Sequence, residues 1–388
     1  MLAVIADDLT GAAELAGIGI TYGMAVELVI GRHPDSINPQ SNADLLVVST
    51  DARSVPEAEA VQEMTGVSAA IRTMKPDLIF KKVDSVLRGH VVAETSAQLT
   101  VLGLKRALIV PANPALGRIL IDGHYYVQGQ LIHQTHFSKD PEFPITKSNV
   151  LKRLAVNDAR VIVQSPTAPM LQSGIIIGEV GTQGDLLTWA SRLDEHTLPG
   201  GGSGFFTAIL ESRYALKKTV RSSGKLGMCR LYVCGSAFGH SVELVKNAAM
   251  AGNFVCYIPN ALIRTGKNDS AAFADWVACV AARFQRHEQV IMAVDAESKV
   301  DTQGLAGHLR AIMAKAVKRV LDQIPVDELI IEGGSTASAV LHEMDVARLV
   351  PVQELAAGVV RSAVIGNRHL HITVKPGSYR WPTDLWKF

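Results

Sequence analysis

Asp7 and Asp8 follow directly on the apolar run 1–6 and precede Leu9-Thr10-Gly11-Ala12. A carboxylate at a strand end can accept a substrate hydroxyl's proton, or it can cap the following helix and favour its positive end. Both readings stay open for this pair. Adjacent residues on an extended backbone point to opposite sides, which separates the pair from the Asp-x-Asp of aspartyl-phosphate phosphatases. A second cluster, Lys81-Lys82-Val83-Asp84-Ser85-Val86-Leu87-Arg88-Gly89, places two ammonium groups, a carboxylate, a hydroxyl and a guanidinium behind another apolar run. That set suits an anionic polyol, with Arg88 gripping a carboxylate while Asp84 and Ser85 read hydroxyls. Its bland alternative is a solvated polar turn.

A third chemistry recurs near the C-terminus. Glu332-Gly333-Gly334-Ser335-Thr336 follows an apolar run and opens a helical pattern. Paired glycines let backbone approach an anion, and a helix start offers free N–H groups, so the turn suits phosphate; a hydroxyl-capped turn is the plain alternative. Cys234-Gly235-Ser236 and Val374-Lys375-Pro376-Gly377 have the same form. No Walker A sequence occurs, and Gly17 and Gly19 fall inside a helical pattern, so there is no dinucleotide fingerprint. The segment 111–149 is rich in Gly, Pro, His and Asp and reads as a long loop, of the kind that is either functional or disordered. Its His124, His133 and His136 lack a metal-ligand spacing.

These turns need sheets to carry them. Strand-like runs at 2–6, 45–49, 78–81 and 107–110 alternate with helical patterns at 56–74 and 93–102, which implies βαβ units. Thr10 reads as the N-cap of the first helix. Strands return at 161–164 and 174–178, and the glycine-rich 198–204 reads as the end of a helical segment. A basic stretch, 213–228, separates a second series with strands at 231–234, 254–258, 290–294 and 328–331 and amphipathic helices at 270–286 and 303–323. The expectation is an α/β chain of two doubly wound lobes, residues 1–220 and 228–388, with mainly parallel sheets and a ligand cleft between them.

At 388 residues the chain is long enough for two cores. Its net charge of +1 gives no global signal for nucleic acid or a membrane surface, which leaves a small-molecule partner. Cys229, Cys234, Cys256 and Cys279 show neither CxxC pairing nor disulfide density, and no apolar run approaches the roughly 20 residues of a membrane helix. A cytoplasmic enzyme is the expectation, with a homodimer expected on base rates alone.

Taken together, the 6–12 and 81–89 motifs, the 111–141 loop and the two C-terminal glycine turns resemble the four-carbon acid sugar kinase family over nearly the whole chain. The resemblance implies an ATP-dependent kinase acting on threonate, erythronate or an oxo-tetronate, and phosphoryl transfer leads one to expect Mg²⁺ with the ATP. It implies that the acid binds the N-terminal lobe through Asp8, Asp84, Ser85 and Arg88. The strand-end position beside that pocket makes Asp8 the expected catalytic base, a role Asp7 could exchange with it, and Asp7 is expected to contact the acid as well. It implies that ATP binds the C-terminal lobe through Ser236, Gly333, Gly334, Ser335, Thr336 and Gly377; it assigns no metal ligand. Ser335 stands where the family commonly has an acidic residue, and Val86 where it has a small or hydroxylated one. The competing readings are a non-catalytic sensor of sugar acids or nucleotides and a different sugar-acid enzyme such as a dehydrogenase, the latter opposed by the missing fingerprint.

Overall fold

The computed structural model describes residues 1–31, 37, 42–140, 142–156, 158–215, 224–235, 239–252, 254–264, 270–295 and 305–388. The chain divides into two compact units, Met1–Thr219 and Val220–Phe388.

The first unit carries β1 (Leu2–Ala6), α1 (Leu9–Thr21), β2 (Val26–Ile30), β3 (Leu45–Ser49), α2 (Glu57–Thr73), β4 (Leu78–Lys82), α3 (Val91–Leu102) and β5 (Arg106–Val110). The excursion that follows holds three short strands, β6 (Arg118–Ile121), β7 (His124–Val127) and β8 (Gln130–Leu131), and a one-turn helix, α4 (Val150–Arg153). Then come β9 (Val161–Gln164), β10 (Gly174–Gly178), α5 (Gln183–Ser191), β11 (Thr197–Gly201) and α6 (Ser203–Ser212). The main strands run in the order β2-β3-β1-β4-β11-β5-β10-β9, each pair parallel. Strands β1, β3 and β5 are buried at every position, as parallel strands covered on both faces must be, which is why they read as unbroken apolar runs. Helix α1 packs so closely that a Cβ on Gly19 would lie 2.5 Å from the Leu45 side chain.

Two expectations need correcting here. Residues 197–201 do not end a helix; they form β11, wedged between β4 and β5 in the middle of the sheet. A Cβ on Gly201 would meet the Val110 carbonyl oxygen at 2.0 Å and one on Gly200 the Lys81 carbonyl oxygen at 2.7 Å, so glycine serves close strand approach against its own propensity. The excursion is also more ordered than a loop, because β6, β7 and β8 pair antiparallel as a small sheet of their own.

The second unit carries β12 (Arg230–Cys234), α7 (Gly239–Ala251), β13 (Val255–Tyr257), α8 (Asn260–Arg264), α9 (Ser270–Phe284), β14 (Gln289–Ala293), α10 (Leu305–Leu321), β15 (Glu328–Glu332) and α11 (Gly334–Glu343). It closes with β16 (Arg348–Ala356), β17 (Val359–Val364) and β18 (Asn367–Lys375). The order is β13-β14-β12-β15-β18-β17-β16. It is parallel as far as β18 and antiparallel through the closing meander. Tyr232, Trp381, Trp386 and Phe388 stack beneath this sheet, with Tyr232 donating its hydroxyl to the Leu385 carbonyl at 2.6 Å. Both units are therefore α/β with mainly parallel sheets.

Candidate active site

The register of the first sheet places Ala6 beside Ser49 and Lys82, and Lys82 beside Gly201. The segments leaving these ends, Asp7-Asp8, Thr50–Arg53, Val83–Gly89 and Gly202-Ser203, thus converge at the carboxyl edge. The chain crosses from one side of β1 to the other here, the switch point at which open parallel sheets bind ligands.

Arg53 organises the convergence, and the motif reading passed it over. Its Nε and Nη2 donate to the two oxygens of Asp7 at 2.8 and 2.9 Å, and Nη2 also reaches Asp8 Oδ1 at 2.7 Å. Asp7 and Asp8 therefore do not diverge as alternation predicts, because one fork-shaped guanidinium spans both. Their roles also separate. Asp7, 2% exposed, is committed to Arg53. Asp8, and not Thr10, is the N-cap of α1, accepting the Gly11 amide at 3.0 Å and the Thr10 hydroxyl. Burial would raise the Asp8 carboxyl, but Arg53, Lys82 and Thr10 outweigh it and hold Asp8 below its usual range. Gly11 is required at this point, since a Cβ would lie 2.7 Å from Asp8 Oδ1 and 3.0 Å from Lys82 Nζ.

The 84–89 loop winds around Asp84. One carboxylate oxygen accepts the amides of Val86 and Arg88 at 3.1 Å each, and Leu87 takes a left-handed φ of 58° to close the turn. Arg88 does not present an open fork. Its Nε and Nη2 pair bidentately with Asp84 at 3.0 and 2.8 Å, and its Nη1 donates to Asp140 at 2.8 Å. Burial favours a neutral Asp84, yet Arg88 and Arg53 overcome it and keep the carboxyl ionised well below the usual range. The Arg88 fork is thus engaged by Asp84 and Asp140 in this structure.

The excursion fastens this loop from above. Tyr125 donates to the Ser85 carbonyl at 2.6 Å, Arg118 donates to the Ser85 hydroxyl, and Arg153 donates to the Val86 carbonyl. Phe137 neighbours two guanidiniums, with the Arg88 and Arg118 carbons 5.8 and 5.9 Å from its ring centre. The histidines have separate partners, His133 bonding Ser148 and His136 stacking on Phe137. Among the described residues no group of three or more His, Cys, Asp or Glu is placed to hold a metal.

In the second unit the register sets Cys234 beside Glu332 and Glu332 beside Lys375, so the turns after β12, β15 and β18 share one edge. Gly333 precedes α11 with φ 94°, and no side chain caps the helix start, which leaves its first amides to an incoming anion. Gly235 abuts Thr336, where a Cβ would sit 2.4 Å from the threonine hydroxyl oxygen. The structure thus brings Gly333, Gly334, Ser335, Thr336 and Gly377 together; Ser236 lies outside the described residues. Beneath them Lys375 donates to Glu332 Oε1 at 2.7 Å, both groups being fully buried, and Ser241 donates to the same oxygen at 2.5 Å. Burial lowers the Lys375 pKa against the opposing pull of Glu332. A hollow at this edge is lined by Cys234, Ser241, Tyr257, Asp295 and Glu332 among others.

Residues 2–208 match the family of sugar-binding N-terminal domains, and residues 231–379 match the family of nucleotide-binding C-terminal domains. The chain belongs to the four-carbon acid sugar kinase family. A family relative, the 3-oxo-tetronate kinase of Pseudomonas fluorescens, is 27% identical over 98% of this chain and 94% of its own. The D-threonate kinase of Salmonella typhimurium is 25% identical over 87% of this chain and 85% of its own. Among solved structures, a Haemophilus influenzae protein of family DUF1537 shares the fold with TM-score 0.70 at 18% identity, over 99% of this chain and 98% of its own. No helix among the described residues is long and apolar enough to cross a membrane.

Proposed function

We propose that this protein transfers the γ-phosphoryl group of ATP to a hydroxyl of a four-carbon sugar acid, of the threonate, erythronate or oxo-tetronate class. The observation that carries this reading is the pairing of Asp8 with Asp84 at the switch point of the sugar-binding unit. Both are ionised carboxylates held rigid by guanidiniums, as hydroxyl recognition and proton acceptance require.

Asp8 is the base. Its Oδ1 is occupied by Gly11 and Arg53, while Oδ2 receives one bond from Thr10 and keeps a second lone pair for the substrate hydroxyl. As the substrate oxygen bonds to the γ-phosphorus, the bond from that phosphorus to the bridging oxygen breaks, ADP departs and the hydroxyl proton passes to Asp8. Asp84 and Ser85 orient the acceptor; Asp7 and Arg88 hold Arg53 and Asp84 respectively. In the nucleotide-binding unit the uncapped start of α11 and the glycine turns at 333–336 and 377 take the phosphates. Magnesium is ordinarily held by one or two carboxylates together with substrate phosphates, and the donor set here fits it. Glu332 Oε2 is buried without a hydrogen-bond partner among the described residues, and Asp295 lines the same hollow. Those two residues would hold the ion, which supplies neutralisation of charge on the transferring group.

The test is ADP release from MgATP with both enantiomers of threonate and erythronate and with the oxo-tetronates. Turnover with one acid is expected. Binding without turnover of any acid would replace the kinase by the sensor reading.

A further inference from the structure

Most cations at the sugar-acid edge already have carboxylate partners. Arg53 is taken by Asp7 and Asp8, Arg88 by Asp84 and Asp140, and Lys82 Nζ lies 3.6 Å from Glu14. Two guanidiniums differ. Arg118, half-buried at the start of β6, donates to the neutral Ser85 hydroxyl and lies over the Phe137 ring, and among the described residues no carboxylate pairs with it. Arg153, at the end of α4, donates through Nη2 to the Val86 carbonyl, while its Nη1 is buried with no hydrogen-bond partner among the described residues. Burial drags the Arg153 pKa down to about 10, with Tyr125 and Asp84 only partly opposing. A buried cation without a counter-ion is costly, and a bound anion would offset that cost.

Ser85 joins two sets of charges at this edge: it directly follows Asp84, which lies 3.8 Å from Arg53 in the cluster with Asp7 and Asp8, and its hydroxyl accepts from Arg118. The start of α6 adds positive potential beside Ser85, since a Cβ on Gly202 would lie 3.9 Å from the Ser85 Cβ and no side chain caps that helix.

We infer that Arg118, backed by Arg153, receives the carboxylate of the sugar acid, with Ser85 bonding the ligand between that carboxylate and the hydroxyl presented to Asp8. This rests on the sugar-acid reading above and deepens it: the residues that make the site select an acid over a neutral polyol are carried by the excursion and not by the 81–89 motif. Arg88 is a positioning residue for Asp84, and Arg118 is the specificity-determining one.

The experiment compares wild type with Arg118→Ala and Arg118→Lys, using D-threonate and D-erythronate alongside the uncharged threitol and erythritol. Steady-state kinetics are read with calorimetric binding of each ligand, and melting curves confirm folding. For Arg118→Ala the KM of the preferred acid is expected to rise about 10- to 10²-fold, the worth of one charge-assisted hydrogen-bond pair. The preference for acid over tetritol is expected to fall by a similar factor, with kcat changed less than about threefold. Arg118→Lys should recover part of the loss, because it keeps the charge without the fork. Two outcomes overturn the inference: kcat falling at unchanged KM, which would make Arg118 a prop for Ser85 alone, or acid and tetritol losing affinity equally. If the wild type binds the acids without turning them over, the dissociation constants carry the same comparison. If the wild type binds none of them, the sugar-acid reading itself fails, visibly before any variant is made.

Discussion

At the carboxyl edge of the first sheet, aspartates and arginines interlock until nearly every charge has a partner, whereas the corresponding edge of the second sheet is built from glycine turns over one buried Lys375–Glu332 pair. Both edges occupy the switch point of a parallel sheet, so topology supplies the location in each case and the side chains supply the chemistry. A polyhydroxy acid must be told apart from its stereoisomers, which takes directional groups held rigid by neighbours. A triphosphate presents the same oxygens in every nucleotide, and backbone amides suffice.

If that contrast is right, damage should be confined to one side. The largest effect is expected from Asp8→Asn, with kcat lower by at least about 10²-fold and the nucleotide dissociation constant unchanged, read by coupled ADP release and calorimetry. Near-wild-type turnover would strip Asp8 of its role. Next is Gly333→Ala. A side chain at φ 94° costs on the order of 1–3 kcal/mol, so nucleotide affinity should drop about tenfold or more while sugar-acid affinity holds. Loss of both would mean the two edges are not independent. Arg53→Lys keeps charge but cannot fork across Asp7 and Asp8, and about a tenfold fall in kcat/KM for the acid is expected. An unchanged value would show that the charge alone matters.

The smallest and most diagnostic effect concerns pH. Asp8 and Asp84 have folded pKa values below their unfolded ones, so their stabilisation is complete above the unfolded value of about 3.9 and is lost as pH falls through the folded values. Thermal stability should therefore be insensitive to these groups between about pH 5 and 8 and fall in stronger acid. In Asp84→Asn the acid-side loss should be shallower; an identical acid limb would contradict the assigned ionisation.

Much of this was readable in the chain. Leu2–Ala6, Val161–Gln164 and Gly174–Gly178 are strands at the predicted residues; Leu2–Ala6, buried throughout, announces itself by an unbroken apolar run, and the other two by short β-branched stretches. Helices α9 and α10 fall within two residues of their predicted bounds. Strand β11 was hidden because Thr197–Gly201 contains a proline and two glycines, residues that propensity assigns elsewhere and that steric need explains only once Val110 and Lys81 are seen beside them. Arg53 was hidden because it lies outside every motif singled out in the sequence. The rule that ligand-binding turns follow the carboxyl ends of strands would have selected it, since it lies just past β3. The occupancy of Arg88 was beyond reach, as no spacing rule couples position 88 to Asp140.

The central place of β11 bears on how the chain is made. Its residues pair with β5 across a separation of 91 positions between Arg106 and Thr197, and with β4 across a longer one. A nascent chain emerging from the ribosome exposes β4 and β5 as unfilled edges until residue 201 is out of the exit tunnel. The halves of the sugar-binding sheet can then only be joined late, and fragments ending before 197 should be retained by chaperones or aggregate, even though they contain Asp7, Asp8 and Asp84.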